Sequence, residues 1–342
     1  MKYIKGYDAL RAASIFFVIC THLGIHEQFS SFIGNSRLLL PFTGVAGVTI
    51  FFSLSGFLIT HILLNEKKET GSINVKNFYI RRFLRLLPPL ILFYIVIGFL
   101  MQKAMISSSF KGYLMSIFYI YNFVPKQYYT GELGHTWSLS VEEQFYLLLP
   151  AVLIFVRSTS RLYAIIFILL VASVAATFVL PGLLINIDGV PKTLDSQFFI
   201  SRWFIPAIAP IIIGSAFSIM LNDIGPRLKQ QFHKNYYILS GSIALYFLPF
   251  LLLPEYILLV SNIFVGISIS SLLVWIYYNQ DNKLCDILEF KPLRYIGRIS
   301  YGLYVYQGFF LRTGPADGLY VQQFPQNIIL TVVVSILSYE FI

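Results

Sequence analysis

Arg11 and His22 lie within the first hydrophobic stretch of the chain, separated by ten uncharged residues, Ala12 to Thr21. Eleven helical steps of about 100° bring the second side chain to within roughly 20° of the first, about 16.5 Å further along the axis. On a continuous helix, Lys5 and Glu27 would be about 33 Å apart, close to the roughly 30 Å thickness of a bilayer's hydrocarbon core. That ruler places Arg11 roughly 9 Å inside one boundary and His22 roughly 7 Å inside the other. An arginine at such depth costs on the order of 2–3 kcal/mol, so an ionisable pair there marks a functional site. The competing reading is an arginine that snorkels to the headgroups and a hydrogen-bonded interior histidine.

Three further segments carry chemistry. Phe78 to Arg85 places Arg82 and Arg85 three residues apart, on one helical face, where guanidinium forks suit a phosphate-bearing ligand such as a nucleotide cofactor. An ordinary basic anchor at the membrane surface explains the same residues. Gly134 to Tyr146 contains His135, Trp137, Ser138, Ser140, Glu142 and Glu143. Ser140 and Glu143 have capping-box spacing, which gives Glu143 a structural task. Glu142 then needs another partner within the membrane, and a carboxylate that orients His22 would make a general base. Gly297 to Gln307 places Tyr301 and Tyr304 on one face, either along an interior polar path or as interfacial aromatics.

The elements that position these groups are membrane spans. Of 342 residues, 57% are hydrophobic and 12% charged, against about 25% charged in a soluble domain. Hydropathy marks ten spans, at 7–25, 44–64, 86–104, 142–157, 161–184, 203–221, 236–253, 256–278, 298–311 and 326–342. The fold class is therefore an all-α integral membrane bundle of one domain, 1–342. The first span holds Asp8 and Arg11 and lacks a small-residue cleavage site, so it reads as a retained anchor. With the N-terminus inside, the inner segments hold 18 of the 25 basic residues, which predicts N-in, C-in topology. The net charge of +9 is thus orientation, and nucleic acid is excluded as a partner.

Residues 51–57, Phe-Phe-Ser-Leu-Ser-Gly-Phe, read as a close-packing helix surface. Gly112 to Phe123 is apolar and too short to span, which suits the outer membrane surface. A disulfide between Cys20, in the first span, and Cys285, in an inner loop, is implausible. His61 and His233 have no assigned role. There is no metal-ligand spacing, no Gly-rich phosphate loop and no Gly-x-Ser-x-Gly elbow. No basic flank follows the last span before Ile342, which leaves open a continuation of the natural chain.

Taken in order, the motifs resemble membrane-bound acyltransferase family 3, the O-acetylases that modify cell-envelope glycans. Tyr7 to Arg11 followed by His22 is similar to the family's Arg-x10-His opening, and Phe52 to Leu58 to its Phe-x-x-Ser-Gly-Phe-Leu segment. Arg82 to Arg85 resembles the Arg-x-x-Arg pair, His135 to Glu142 the most specific motif, and Ser300 to Tyr304 the late Ser-Tyr-x-Leu-Tyr segment. Ala9 and Ala12 replace common glycines, and Gln307 stands where many members carry histidine. That departure leaves His22 as the strong base candidate. Glu340 resembles a remnant of the closing Glu-x-Pro segment, which indicates the short form without a periplasmic hydrolase-like domain.

The resemblance implies ten helices in a bacterial inner membrane, cytosolic acetyl-CoA as acyl donor, no metal, and an outward-facing glycan or glycolipid acceptor such as O-antigen. It makes His22 the catalytic histidine, with Glu142 beside it, and Arg11, Arg82 and Arg85 the donor-phosphate ligands. Trp137, Ser138 and Glu142 would shape the outer half of the site, with His135, Glu143 and Tyr301 as further candidates for binding the acceptor. The competing class is a secondary transporter of a small polar solute, since intramembrane Arg, His and Glu also mark transport paths. Transporters often carry an internal repeat, and none is found in this sequence.

Overall fold

The computed structural model describes residues 3–25, 28–29, 36–106, 109–188, 199–253, 260–311 and 319–341. Among the described residues there is helix and no strand. In chain order the helices are α1 (Tyr7–His22), α2 (Gly44–Thr70), α3 (Val75–Gln102), α4 (Phe110–Ile117), α5 (Thr136–Phe155) and α6 (Thr159–Asp188). There follow α7 (Phe204–Ala207), α8 (Ala209–Asp223), α9 (Gly225–Phe232), α10 (Tyr236–Leu252), α11 (Ser261–Tyr278), α12 (Lys283–Leu288), α13 (Lys291–Phe310) and α14 (Gln326–Phe341).

Within the described residues each of the ten expected segments overlaps a helix, the sixth overlapping two; residues 256–259 of the eighth and Ile342 of the tenth lie outside the described residues. Five of these helices, α2, α3, α5, α6 and α11, are long and apolar enough to cross a membrane, and α8 with α9 makes a sixth if the bent pair is one span. The chain is an all-α membrane protein. Several expected boundaries shift. The third span begins at Val75, where the Asn74 side chain caps the Asn77 N–H, so Pro88 and Pro89 lie inside the helix and do not start it. The sixth is interrupted between α7 and α8, because Pro210 has no N–H for the Pro206 carbonyl, and it turns by 105° into α9. The first helix ends at His22, with Gly24 in the left-handed region at φ 68°, so the Lys5–Glu27 ruler does not describe one helix; Glu27 lies outside the described residues.

The centre of the bundle is α2, which packs on α1, α5, α8 and α11. The small residues at 53–56 permit this. A Cβ on Gly56 would meet the Ile211 carbonyl oxygen at 1.9 Å, and one on Gly214 would meet the Ser53 carbonyl oxygen at 2.1 Å. The two glycines therefore let α2 and α8 cross backbone to backbone, as the packing reading of residues 51–57 expects. In turn α1 lies between α2 and α13, and α13 packs on α14 and α3. Phe57, Leu273, Val274, Trp275 and Ile276 are fully buried on one side of α2, and Leu63, Val141 and Ile211 on another.

The segments around residues 3–8 and 279–298 meet at one end. Lys5 pairs with Asp286 at 2.8 Å, the Gly6 N–H donates to Glu289 at 2.9 Å, and the Lys5 N–H donates to Gln280 at 2.8 Å. Tyr3 donates to Glu289 at 2.9 Å and to Asp8 at 3.3 Å. Burial, then these carboxylates, push the Tyr3 phenol up from its usual range and keep it a donor. At the opposite end the Gly44 N–H donates to Thr21 at 2.6 Å, and Tyr246 donates to the Pro41 carbonyl at 2.5 Å. Cys20 and Cys285 are free thiols. On α4, Phe110 is exposed, as is Phe118 just beyond it.

Replacing Gly214 by Ala should force α2 and α8 apart and cost about 1–3 kcal/mol, the usual range for overpacking. Thermal unfolding in detergent should show a lowered midpoint; an unchanged midpoint would mean the crossing tolerates a Cβ.

Candidate active site

The Arg11 side chain is pinned from one turn earlier on its own helix. Its Nη1 lies 2.5 Å from Asp8 Oδ1, and the Arg298 Nε lies 3.9 Å from Asp8 Oδ2. Asp8 itself is buried, in the first turn of α1, where the helix dipole favours a carboxylate. Arg298 reaches it because a Cβ on the preceding Gly297 would meet the Asp8 carbonyl oxygen at 2.0 Å; only glycine brings α13 so near.

This cluster opens into a cavity of about 390 Å³, whose wall includes Asp8, Arg11, Arg85, Arg298, Tyr301 and Ser338. Three guanidinium groups face it against a single carboxylate, so its field attracts anions. Tyr301 lies on the wall while its hydroxyl donates to the Leu86 carbonyl at 2.9 Å, tying α13 to α3 beside the two prolines.

Arg11 also lines a second, narrower space of about 20 Å³, with Ser14, Phe51, Ser138, Ser300 and Tyr304 around it. That is room for about one water molecule. At its far end Tyr304 shares a short hydrogen bond with Ser138 and donates to the His135 carbonyl at 3.1 Å. The buried His135 ring packs edge-on against Tyr304 at 5.6 Å and Phe93 at 5.3 Å, directly against Gly308. Neither ring nitrogen of His135 has a hydrogen-bond partner of good geometry among the described residues, although the Glu132 backbone is close. His22, half-buried at the last position of α1, lies within electrostatic reach of His135. The sequence-predicted Arg11, Ser138 and Tyr304 thus line one narrow space, with the His135 ring packed against Tyr304.

The predicted Arg82–Arg85 pair separates. Arg85 lies on the cavity wall with Arg11, whereas the Arg82 guanidinium stacks on the Tyr146 ring of α5, 3.5 Å from its centroid. Glu142 lies in that second group: its Oε1 accepts from Ser55 at 2.5 Å and from Tyr146 in a short bond. Glu142 and Glu143 both act electrostatically on Arg82. The Glu142 carboxylate is therefore engaged by α2 and by its own helix.

The capping-box reading is corrected. The helix starts at Thr136, one turn before Ser140, so Ser140 donates back to the Thr136 carbonyl at 2.9 Å and accepts from the Tyr121 N–H. Glu143 is thereby released from the N-terminus and joins the Arg82 group. Trp137 sits between Phe52, edge-on at 6.0 Å, and the Arg202 guanidinium, 5.4 Å from its ring centroid.

Several contributors escaped the sequence reading. Arg298 lies in the Gly297–Gln307 segment, where its sequence position indicates no partner, and Ser55 reads from the sequence as a small packing residue. Tyr146 carried a readable signal, its i+4 spacing from Glu142. Arg202, over Trp137, Tyr129 and Phe199, had none. Among the described residues no group of three or more His, Cys, Asp or Glu is placed to hold a metal.

A helical membrane bundle with a basic cavity at one end, joined through an arginine to a buried hydroxyl and imidazole cluster, has the layout of a group-transfer site. The chain matches the acyltransferase domain family over residues 4–339 and belongs to it. It is 29% identical to the peptidoglycan O-acetyltransferase OatA of Listeria monocytogenes, over 89% of this chain and 49% of that protein. It is 29% identical to a Staphylococcus aureus protein named as a putative O-acetyltransferase, over 100% of this chain and 57% of the relative. With a Bacillus subtilis protein named as the putative peptidoglycan O-acetyltransferase YrhL the identity is 28%, over 89% and 48%. The chain thus spans about half the length of these curated relatives. No solved structure is matched.

The divided arginine pair has separate consequences. Arg82→Gln should strip the cation from Tyr146 and the two glutamates and cost about 1–2 kcal/mol of stability. Arg85→Gln, on an open cavity wall, should leave the unfolding midpoint near wild type. Equal midpoints for the two variants would refute the division.

Proposed function

We propose that this chain is an O-acetyltransferase that carries an acetyl group from cytosolic acetyl-CoA to a hydroxyl of a cell-envelope glycan at the outer face of a bacterial cell membrane. The observation that carries this reading is the double position of Arg11, on the wall of both the basic cavity and the narrow slot towards Tyr304 and His135. A donor with phosphates at one end and a thioester at the other suits that arrangement: fixed positive charge where it docks, and hydroxyl and imidazole groups further in where it reacts.

The reading includes ten spans with both termini in the cytosol, which puts the arginine cavity inside and His22 and Trp137 towards the outside. The donor phosphates dock against Arg11 and Arg85, and the pantetheine arm enters between α1, α2 and α13. His22 deprotonates the acceptor hydroxyl, or carries the acyl group transiently, with His135 within electrostatic reach of it. Ser138 and Tyr304 present hydroxyl donors at the end of the slot, suited to a developing oxyanion. Glu142 acts as a positioning residue, bracing α2 and α5 through Ser55, Tyr146 and Arg82. The ring of Trp137 offers a face for a sugar. Relatives named as peptidoglycan O-acetyltransferases support a glycan as acceptor.

The His22→Ala variant should insert and fold as wild type while acetyl-CoA-dependent labelling of envelope glycan falls by roughly 100-fold or more, the usual contribution of a general base. Full labelling by that variant would remove His22 from the mechanism.

A further inference from the structure

The proposed donor leaves one cationic group of the cavity without a task. Arg298 shares the wall with Arg11 and Arg85, yet its side chain is 45% exposed where that of Arg11 is 19% exposed. It stands at the rim and Arg11 at the floor. The contact of Arg298 with Asp8 is long, 3.9 Å, and uses Nε. The terminal nitrogens are the pair that fits two oxygens of a phosphate.

A coenzyme A thioester carries two kinds of phosphate. Its diphosphate lies between the pantetheine arm and the ribose, and its 3′-phosphomonoester projects from the ribose at the end that enters last. A donor threaded acyl-end first past Arg11 meets that deeper arginine with its diphosphate and the exposed rim with its 3′-phosphate. We infer that Arg298 is the ligand of the donor's 3′-phosphate and the residue that separates coenzyme A thioesters from their 3′-dephospho analogues. This rests on the proposed acyl-CoA donor and adds to it a position for each phosphate. Asp8, between Arg11 and Arg298, holds both guanidinium groups in place while the cavity contains only solvent, and it limits the excess charge of the pocket.

The test is a binding comparison on the full chain in nanodiscs, with coenzyme A and 3′-dephospho-coenzyme A as the two probes. Wild type should prefer coenzyme A by about tenfold or more, equivalent to about 1.4 kcal/mol. Arg298→Gln should lose that preference, binding both probes as wild type binds the dephospho form. Arg298→Lys, which keeps the charge without the fork, should fall between. Arg11→Gln, at the floor, should weaken both probes together and preserve the ratio. An Arg298→Gln variant that keeps the wild-type ratio, or a wild type that binds both probes equally, overturns the assignment while leaving the donor standing. Failure of wild type to bind either probe overturns the donor reading as well. Arg298 lies at a rim, and matched unfolding midpoints of the variants verify that folding is preserved.

Discussion

The bundle depends on keeping an arginine within its helices. A guanidinium cannot shed its proton at any accessible pH, so its charge must be met by structure. Asp8 meets it from one turn away on the same helix, at a terminus whose dipole already favours an anion. The pair is enclosed because α1 is clamped on both sides by backbone approach. The Ser14 carbonyl would be 2.5 Å from a Cβ on Gly47 of α2, and the Asp8 carbonyl 2.0 Å from one on Gly297 of α13. The same two contacts that bury the pair bring Arg298 and Ser300 to it. Charge neutralisation, helix packing and the wall of the cavity are consequences of one arrangement.

From that arrangement follows a division of labour among the arginines. Arg11 and Arg85 face open volume, where a charged ligand can reach them. Arg82 faces an aromatic ring and a pair of glutamates, where it joins α3 to α5. Two of its nitrogens, Nε and Nη2, are buried without a hydrogen-bond partner among the described residues, so the stack with Tyr146 and the glutamate charges supply its compensation. Guanidinium groups three residues apart on one helix can thus serve different ends, because their long side chains diverge from a shared backbone face.

The helices were legible in the chain because hydropathy depends on composition over some twenty residues, which tertiary packing does not alter. All ten expected segments overlap helix among the described residues, five or six of these helices are long and apolar enough to span, and the close-packing reading of residues 51–57 is realised at Gly56. Boundaries were less legible, for local reasons. Asn74 caps a helix about three turns upstream of its apolar run, and the helix of Thr136 begins a turn before the Ser140–Glu143 spacing that resembled its start. In the site, Arg11 and Ser138 each stand out from their motifs, but the motifs assign them to opposite halves, and only the packing of α1 against α2 and α13 shows them lining one space. The pairing of Glu142 with Ser55 and Tyr146 is likewise not legible there, because it depends on the rotation of α5 against α2, a long-range property. Arg298 was hidden for a related reason: its role comes from the glycine beside it, which matters only once α1 is known to pack there.

The central claim is that the basic cavity and the histidine end of α1 serve opposite faces of one membrane. Sealed, inverted vesicles carrying the protein and an envelope glycan in their lumen test it most directly, with radiolabelled acetyl-CoA supplied only outside. A two-faced transferase predicts label on the lumenal glycan, lost when the acetyl-CoA is instead enclosed with the glycan and absent from the outside. Label that appears only when donor and acceptor share a compartment would contradict it.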